Sequence, residues 1–342
     1  MKYYFSKILS VVLITGVTFF ASIDLYAETN WSCFGSGIGE IFVPGLGYAL
    51  NAQVDKAILI GGSRWYLNGK TYQATEEDDY EDDPDKIYES ESAEDTESGK
   101  DETQIYLNRS TWEANYYGSL DFNLLLITWG DLYQNNCEPN TETYSYMLSP
   151  FRIDHFYDNW MFWLPVLIAA SNYQTFSDNN KIDYYLEKGL SKEDLKRDSF
   201  GQYYMVGVGE EMFFRGTVQH YFFETFKQDF NYSAEASRHL SIVSASLVFA
   251  AAHSGAGFTA NPAQAFIFGV YEGYVYHPSL EEFDLMTAIA VHAWWDLLIA
   301  YAILNNAEYH EDQEDVYDEN NRTNASLNSQ TVYPLLTVAF MF

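Results

Sequence analysis

Basic residues and cysteines are scarce in this sequence. Its 342 residues include 18 lysines and arginines against 49 aspartates and glutamates, which gives a net charge of −31 at pH 7. A chain this acidic repels nucleic-acid phosphates and no basic stripe offsets the repulsion, so no nucleic-acid partner is expected. The two cysteines, Cys33 and Cys137, show no CxxC or Cys/His spacing, which argues against a structural zinc site.

Several catalytic motifs are also absent. The sequence holds no G-x-S-x-G nucleophile elbow and no H-E-x-x-H zinc-protease helix. The glycines of "GSGIG" (35–39) and "GLG" (45–47) lack the strand, turn and helix of a nucleotide-binding fingerprint. These absences argue against an α/β hydrolase, a conventional zinc protease and a nucleotide-binding domain.

Residues 1–27 have the pattern of a secretory signal peptide. Lys2 and Lys7 precede an apolar core, and "LYA" offers a small residue for cleavage. An uncleaved first membrane helix is the alternative, and either interpretation sends the protein into the secretory pathway. Outside the cytoplasm Cys33 and Cys137 can form one disulfide, with two unpaired thiols as the alternative.

Two polar stretches divide the rest of the chain. Residues 74–104 contain too little apolar surface to fold, so we expect a disordered acidic loop. Residues 305–342 predict a second acidic loop that ends in a short apolar C-terminal segment. The parts between them are an N-terminal apolar segment, 28–73, and a membrane helical domain, 105–304.

The apolar segments predict an all-α fold, a polytopic transmembrane bundle of about six to eight helices with long acidic loops. They lie at about 41–64, 119–134, 159–173, 203–223, 240–257, 262–276 and 285–304. Of these, 285–304 has the roughly 20 nearly unbroken apolar residues that a membrane crossing requires.

A cluster of basic residues gives the expected orientation. The positive-inside rule places the loop that contains them in the cytoplasm: Lys181, Lys188, Lys192, Lys196 and Arg197. From an outer N-terminus, the crossings at 41–64, 119–134 and 159–173 reach that side and leave both cysteines on the oxidising face. We therefore expect a bacterial inner-membrane protein with the lipid bilayer as a partner.

The C-terminus favours a different architecture. Leu336, Val338 and Phe340 alternate before a terminal Phe342, which is typical of an outer-membrane β-barrel. A barrel needs many alternating strands of about 10 residues, whereas "SASLVFAAAHSG" and "AIAVHAWWDLLIAYAIL" show no period-2 alternation. An outer-membrane barrel is kept as the alternative fold.

Polar residues inside the apolar segments carry the functional signal. Residues four apart share a helix face, and three pairs have this spacing: Glu211 with Arg215, Phe249 with His253, and His292 with Asp296. Each pair alone could be a satisfied structural contact. Ionisable groups inside a membrane tend to face the bundle interior and one another, so together they predict a general-base or metal-ligand site. Glu272 and His277 fit an interfacial position at a helix end better.

The order of these motifs resembles that of the CPBP family of intramembrane proteases, which includes the CAAX-prenyl type II endopeptidases and bacteriocin-processing or immunity proteins. The resemblance covers about residues 203–304. The family motifs E-E-x-x-x-R, F-x-x-x-H and H-x-x-x-N (or D) are matched by Glu210, Glu211 and Arg215, by Phe249 and His253, and by His292 and Asp296.

The resemblance implies an intramembrane endopeptidase that acts on a membrane-associated protein or peptide. Glu210 would be the general base that activates water, with His253 assisting. His292 and Asp296 would orient the water or stabilise the oxyanion. A non-catalytic scaffold or immunity protein of the same fold is the alternative.

The remaining motif residues have structural roles in this interpretation. Glu211 and Arg215 would form an ion pair, and Phe249 would support it. Family members have been described both as metal-independent glutamate proteases and as metalloproteases. Zinc is therefore left open as a cofactor, with Glu210, His253 and His292 as its ligands.

Overall fold

The structure is a computed structural model that describes residues 31–79, 103–171, 182–253 and 262–313. These residues are predominantly helical, which confirms the helical part of the predicted fold. The predicted signal peptide, most of the acidic loop 74–104 and the apolar C-terminal segment lie outside the described residues.

The chain begins with short helices and then forms longer ones. The first elements are α1 (Trp31–Phe42), α2 (Leu46–Leu50), α3 (Val54–Lys56), a π-helical turn (Ala57–Gly61), α4 (Gly62–Asp79), β1 (Thr103–Leu107) and α5 (Arg109–Gln134). The next are α6 (Thr143–Met147), a 3-10 turn (Ser149–Phe151), α7 (Ile153–Phe156), α8 (Trp160–Ser171) and β2 (Ile182–Glu187). The last are α9 (Lys192–Phe213), a π-helical turn (Phe214–Gln219), α10 (His220–Glu224), a π-helical turn (Thr225–Asp229), α11 (Ala234–Ala252), α12 (Pro262–Tyr276), α13 (Leu285–Asn306) and β3 (Glu308–Gln313).

The predicted crossing at 41–64 is not one helix. The backbone reverses at Gly45 and Ala52, which both have positive φ, and the segment divides among α1 to α4. A membrane crossing by this segment stays a prediction, and a buried charge within the segment is paired. Lys56 Nζ lies 2.6 Å from Asp131 Oδ2 on α5, so a distant residue pairs the charge that the apolar sequence contains.

A disulfide links the N-terminal helix α1 to the end of α5. Cys33 on α1 is bonded to Cys137, which follows the end of α5, and both residues are buried. The linked residues are 104 positions apart in the sequence. The bridge therefore closes a long loop that contains the whole of the first acidic stretch.

A three-stranded parallel sheet, which the sequence analysis did not predict, lies at one end of the helices. The strand order is β1-β2-β3, with Thr103 opposite Ile182 and Asp183 opposite Glu308. It adds three short strands to a predominantly helical fold, and β1 begins inside the acidic stretch 74–104 while β3 lies inside 305–342. The side chains of β2 alternate between buried and partly buried, so one face of the sheet packs on the core.

Capping residues begin the helices that carry the predicted site. Ser191 caps α9 in a reciprocal capping box with Asp194, Ser233 caps α11 and Asp284 caps α13. In each case a side-chain oxygen accepts a hydrogen bond from a backbone N–H that the helix leaves unpaired. These bonds fix where each helix begins, and so how far along it the functional residues lie.

Glycines allow α9 to approach its neighbours closely. A Cβ on Gly207 would lie 2.5 Å from the backbone nitrogen of Ala293 on α13. A Cβ on Gly130 of α5 would lie 2.7 Å from the carbonyl oxygen of Met212. Neither position accepts a side chain without a backbone shift, and this packing places the last turn of α9 beside the middle of α13.

The helices differ in how much of their apolar surface is buried. By length and composition one helix among the described residues, α13, could cross a membrane, and its most apolar 18 residues are 78% buried. Other helices expose apolar stripes at helical spacing instead. The stripe on α8 is Trp160, Trp163, Leu164, Leu167 and Ile168, and that on α11 is Leu240, Val243 and Leu247.

Candidate active site

Three helices bring the predicted catalytic residues together. Glu210 and Glu211 lie in the last turn of α9, and His253 directly follows α11. His292 and Asp296 lie one turn apart in the middle of α13. All five side chains are buried.

Glu210 lies at the centre of this group. Its Oε2 is 3.6 Å from His253 Nε2 and 3.9 Å from His292 Nε2. Glu210 is 9% exposed, whereas the neighbouring Glu211 is fully buried. Oε2 makes no hydrogen bond to any described residue, so this carboxylate oxygen is available to a substrate or a water molecule.

Glu211 is held on both sides. Its Oε2 lies 3.0 Å from Nε of Arg215, one turn further along, and its Oε1 lies 2.8 Å from Nδ1 of His292. The guanidinium of Arg215 also lies over the ring of Phe249, 5.2 Å from its centroid. The adjacent glutamates therefore differ in environment, which an i, i+4 pattern alone could not show. The bond from Glu211 to His292 was not predicted.

His253 presents one ring nitrogen to the site. Its Nδ1 lies 2.7 Å from the carbonyl oxygen of Phe249 and donates to it, because a carbonyl can only accept. Nε2 therefore faces Glu210, and in the neutral ring it is an acceptor. The ring centroids of Phe249 and His253 are 4.1 Å apart, so the aromatic residue of the second motif supports the imidazole directly.

His292 lies among three carboxylates. Nδ1 bonds Glu211, while Nε2 is 3.4 Å from Asp296 Oδ2 and 3.9 Å from Glu210 Oε2. Since an ionised carboxylate can only accept, Nδ1 carries a proton. Nε2 and Asp296 Oδ2 make no well-aligned hydrogen bond to a described residue, so both remain able to bind a polar group of a substrate.

Glu272 on α12 is a further buried carboxyl near this site. Its charge interacts with those of Glu211, His292, Arg215 and Asp296, and it is fully buried. The protein therefore encloses Glu272, and its expected interfacial position stays a prediction. His277 is also fully buried. Gly273 helps to explain the burial, because a Cβ there would lie 2.7 Å from Ile242, so α12 packs closely on α11.

The spacing of the donor atoms tests the zinc prediction. Carboxylate and imidazole donors bound to one zinc ion lie about 2.0–2.2 Å from it, and hence about 3.4 Å from one another in a tetrahedral site. Glu210 Oε2 is near this spacing from His253 Nε2 (3.6 Å) and His292 Nε2 (3.9 Å), but the three donor atoms do not all lie within 4.8 Å of one another. As they lie, they do not fit a single zinc ion.

Comparison with known proteins agrees with the family resemblance of the motifs. Residues 199–298 match the family model described as type II CAAX prenyl endopeptidase Rce1-like. No curated protein and no solved structure matches the chain. The matched residues contain all three motifs and the five side chains of the site. Over residues 199–298 the chain is therefore similar to the Rce1-like CAAX prenyl endopeptidases, a family of membrane-embedded proteases, as the order of the motifs predicted.

Proposed function

We propose that the protein is an intramembrane endopeptidase that hydrolyses a peptide bond of a membrane-associated protein or peptide. The observation that carries the proposal is the position of Glu210 Oε2, 3.6 Å from His253 Nε2 in a buried site. Two acceptor atoms at this separation can both accept from one water molecule, at the usual distance of about 2.8 Å. The family match supports the reaction class.

Glu210 is the general base in this mechanism. A water that donates one proton to Glu210 and the other to His253 directs its oxygen lone pairs away from both. Attack on the scissile carbonyl transfers a proton to Glu210. The same carboxyl then returns the proton to the leaving amine. The Nδ1 bond to the Phe249 carbonyl keeps the ring of His253 in orientation throughout.

His292 stabilises the negative charge that develops on the carbonyl oxygen. With a proton on each ring nitrogen, it donates to Glu211 through Nδ1 and to the oxyanion through Nε2. Asp296, 3.4 Å from Nε2, holds the ring in place from the next turn of α13. A donor fixed before the reaction stabilises the transition state without a reorganisation cost.

The exposed apolar stripes support a membrane environment. The stripes on α8 and α11 would place Trp, Leu, Ile and Val side chains in water in a soluble protein. In a bilayer they would contact lipid, while the buried α13 forms the centre of the bundle. We propose a polytopic arrangement on this basis.

The location in a bacterial inner membrane, reached through the N-terminal signal, is part of the same proposal. The disulfide between Cys33 and Cys137 is consistent with an oxidising outer face.

The proposal is tested by Glu210→Gln in cells that express the full chain. Membrane and cell-surface peptides are compared by mass spectrometry with those of cells that express the wild type and the exposed-site control Glu281→Gln. Cleavage products should appear with the wild type and the control and be lost with Glu210→Gln at equal protein abundance. Unchanged products with Glu210→Gln would overturn the mechanism. No products from any of the three would favour the non-catalytic alternative.

A further inference from the structure

A second group of ligand-type side chains lies on the parallel sheet. Asp183 of β2 is opposite Glu308 of β3 in the strand register, and Tyr185 is opposite His310. Residues two apart in a strand point to the same face. Asp183, Glu308 and His310 therefore share one face of the sheet, and their donor atoms all lie within 4.8 Å of one another.

This face is separate from the hydrophobic core. Ile182, Tyr184 and Leu186 alternate along β2 with Asp183 and Tyr185, and they pack into the core from the other face. Asp183 and His310 are partly buried and Glu308 is exposed, so an ion from solution can reach the group. The ring of His310 is stacked on Tyr185 with centroids 4.5 Å apart, which orients the imidazole beside the carboxylates.

The facing carboxylates of Asp183 and Glu308 favour a bound cation. Like charges directly opposite one another on neighbouring strands destabilise a sheet, and Asp183 faces Glu308 in this way. Lys192, at this end of the sheet, lies over the ring of Tyr309, next to Glu308 in β3.

We propose that Asp183, Glu308 and His310 bind a divalent transition-metal ion, with Zn²⁺ as the ion of choice. One imidazole nitrogen with carboxylate oxygens suits Zn²⁺, whereas Ca²⁺ and Mg²⁺ prefer sites made of oxygen alone. Rotation of the exposed Glu308 side chain closes the group around the ion, and water fills the positions that face solvent. The ion links β2, which leads into α9, to β3, which follows α13.

This site is distinct from the candidate active site. Along α9, Lys192 at the sheet end and Glu210 are separated by about 27 Å at 1.5 Å per residue. The proposal is independent of the proposed function. The sheet site does affect how chelator experiments are interpreted. A chelator can change the stability of the protein by removing an ion from the sheet, even if no metal binds at Glu210.

The test uses the full, untagged chain in detergent, stripped of metal with a chelator and titrated with Zn²⁺ by calorimetry, with Mg²⁺ as the comparison ion. His310→Gln and Asp183→Asn remove one ligand each. Glu281→Gln removes an exposed carboxylate elsewhere, and Glu210→Gln alters the candidate active site. The sheet variants should lose one equivalent of Zn²⁺, or bind it about tenfold more weakly or worse, while the other two match the wild type.

A second readout does not depend on the heat of binding. Zn²⁺ should raise the melting temperature of the wild type and of Glu281→Gln, and should not raise that of His310→Gln, because an ion that binds only the folded state stabilises it. Equal Zn²⁺ binding by the wild type and both sheet variants would overturn the proposal and assign the ion to the acidic stretches. Loss confined to Glu210→Gln would overturn it in favour of the active site.

Discussion

Glu211 connects two of the three motifs, since one of its oxygens lies 2.8 Å from His292 Nδ1 and the other 3.0 Å from Nε of Arg215. The three side chains are fully buried. A buried charge is tolerated when charged or polar groups surround it, so each of these residues needs the others. The second glutamate of the motif therefore acts on the site through the ring that it orients.

We expect Glu211→Gln to destabilise the protein. The substitution leaves Arg215 without its charged partner, and breaking a buried pair in this way costs about 3–5 kcal/mol. Thermal unfolding in detergent should show a large drop in melting temperature, together with lower abundance in cells. Glu210→Gln is the matched control, because Glu210 Oε2 has no hydrogen-bond partner among the described residues. Similar melting temperatures for the two variants would contradict the division of roles.

The two histidines should differ when each is changed to glutamine. His253→Gln removes the second acceptor of the attacking water and should reduce the cleavage rate by about 10²–10⁴-fold, the usual range for acid–base catalysis, with a smaller drop in melting temperature than His292→Gln. His292→Gln should reduce both the cleavage rate and the melting temperature, because it also removes the bond to Glu211. Rates of product formation and melting temperatures on the same preparations provide the check. A His292→Gln protein as stable as His253→Gln would show that the Glu211 bond contributes little.

The motif spacing was enough to predict which side chains lie close together, but not how they are paired. The i, i+4 spacing identified Glu211 with Arg215 and His292 with Asp296 as pairs within single helices. The bond between Glu211 and His292 joins α9 to α13 and depends on the close approach at Gly207, which no local pattern reveals.

The sheet was missed for a different reason. Its outer strands lie inside or beside acidic stretches, where composition suggests disorder. A usable signal was present in β2, where "IDYYLE" alternates polar positions with Ile182, Tyr184 and Leu186. The other strands become recognisable only as partners of β2. Lys56 likewise interrupts an apolar run in the sequence, and only the fold shows that Asp131 pairs its charge.

Asp296→Asn should retain much more activity than Asp296→Ala. The asparagine oxygen keeps an acceptor near His292 Nε2, which lies 3.4 Å from the present carboxylate. We expect a rate within about tenfold of the wild type, and a loss of roughly 100-fold or more for Asp296→Ala, which removes the acceptor. Progress curves with the same substrate peptide distinguish the two. A loss as large for Asn as for Ala would mean that the negative charge itself is required.

Removal of the disulfide should lower stability without removing the active site. Cys33 and Cys137 close a loop of about 100 residues, for which the loss of a crosslink costs about 2–5 kcal/mol. The double substitution of both cysteines by serine, and reduction of the wild type, should lower the melting temperature by similar amounts. Thiol titration of the denatured, non-reduced wild type should find no free thiol. Two free thiols would contradict the bridge and the oxidising location proposed for it.

Glu272→Met should leave the protein as stable as the wild type or make it more stable, the opposite of Glu211→Gln. Both glutamates are fully buried, but neither oxygen of Glu272 makes a hydrogen bond to a described residue. Neighbouring Glu211 disfavours ionisation of this buried carboxyl. Replacing an unsatisfied buried carboxyl with an apolar side chain of similar volume removes a desolvation cost of about 1–3 kcal/mol. Melting temperatures of Glu272→Met, Glu211→Gln and Glu281→Gln, measured together, give the comparison. A drop for Glu272→Met as large as that for Glu211→Gln would show that Glu272 is a second required partner of Arg215.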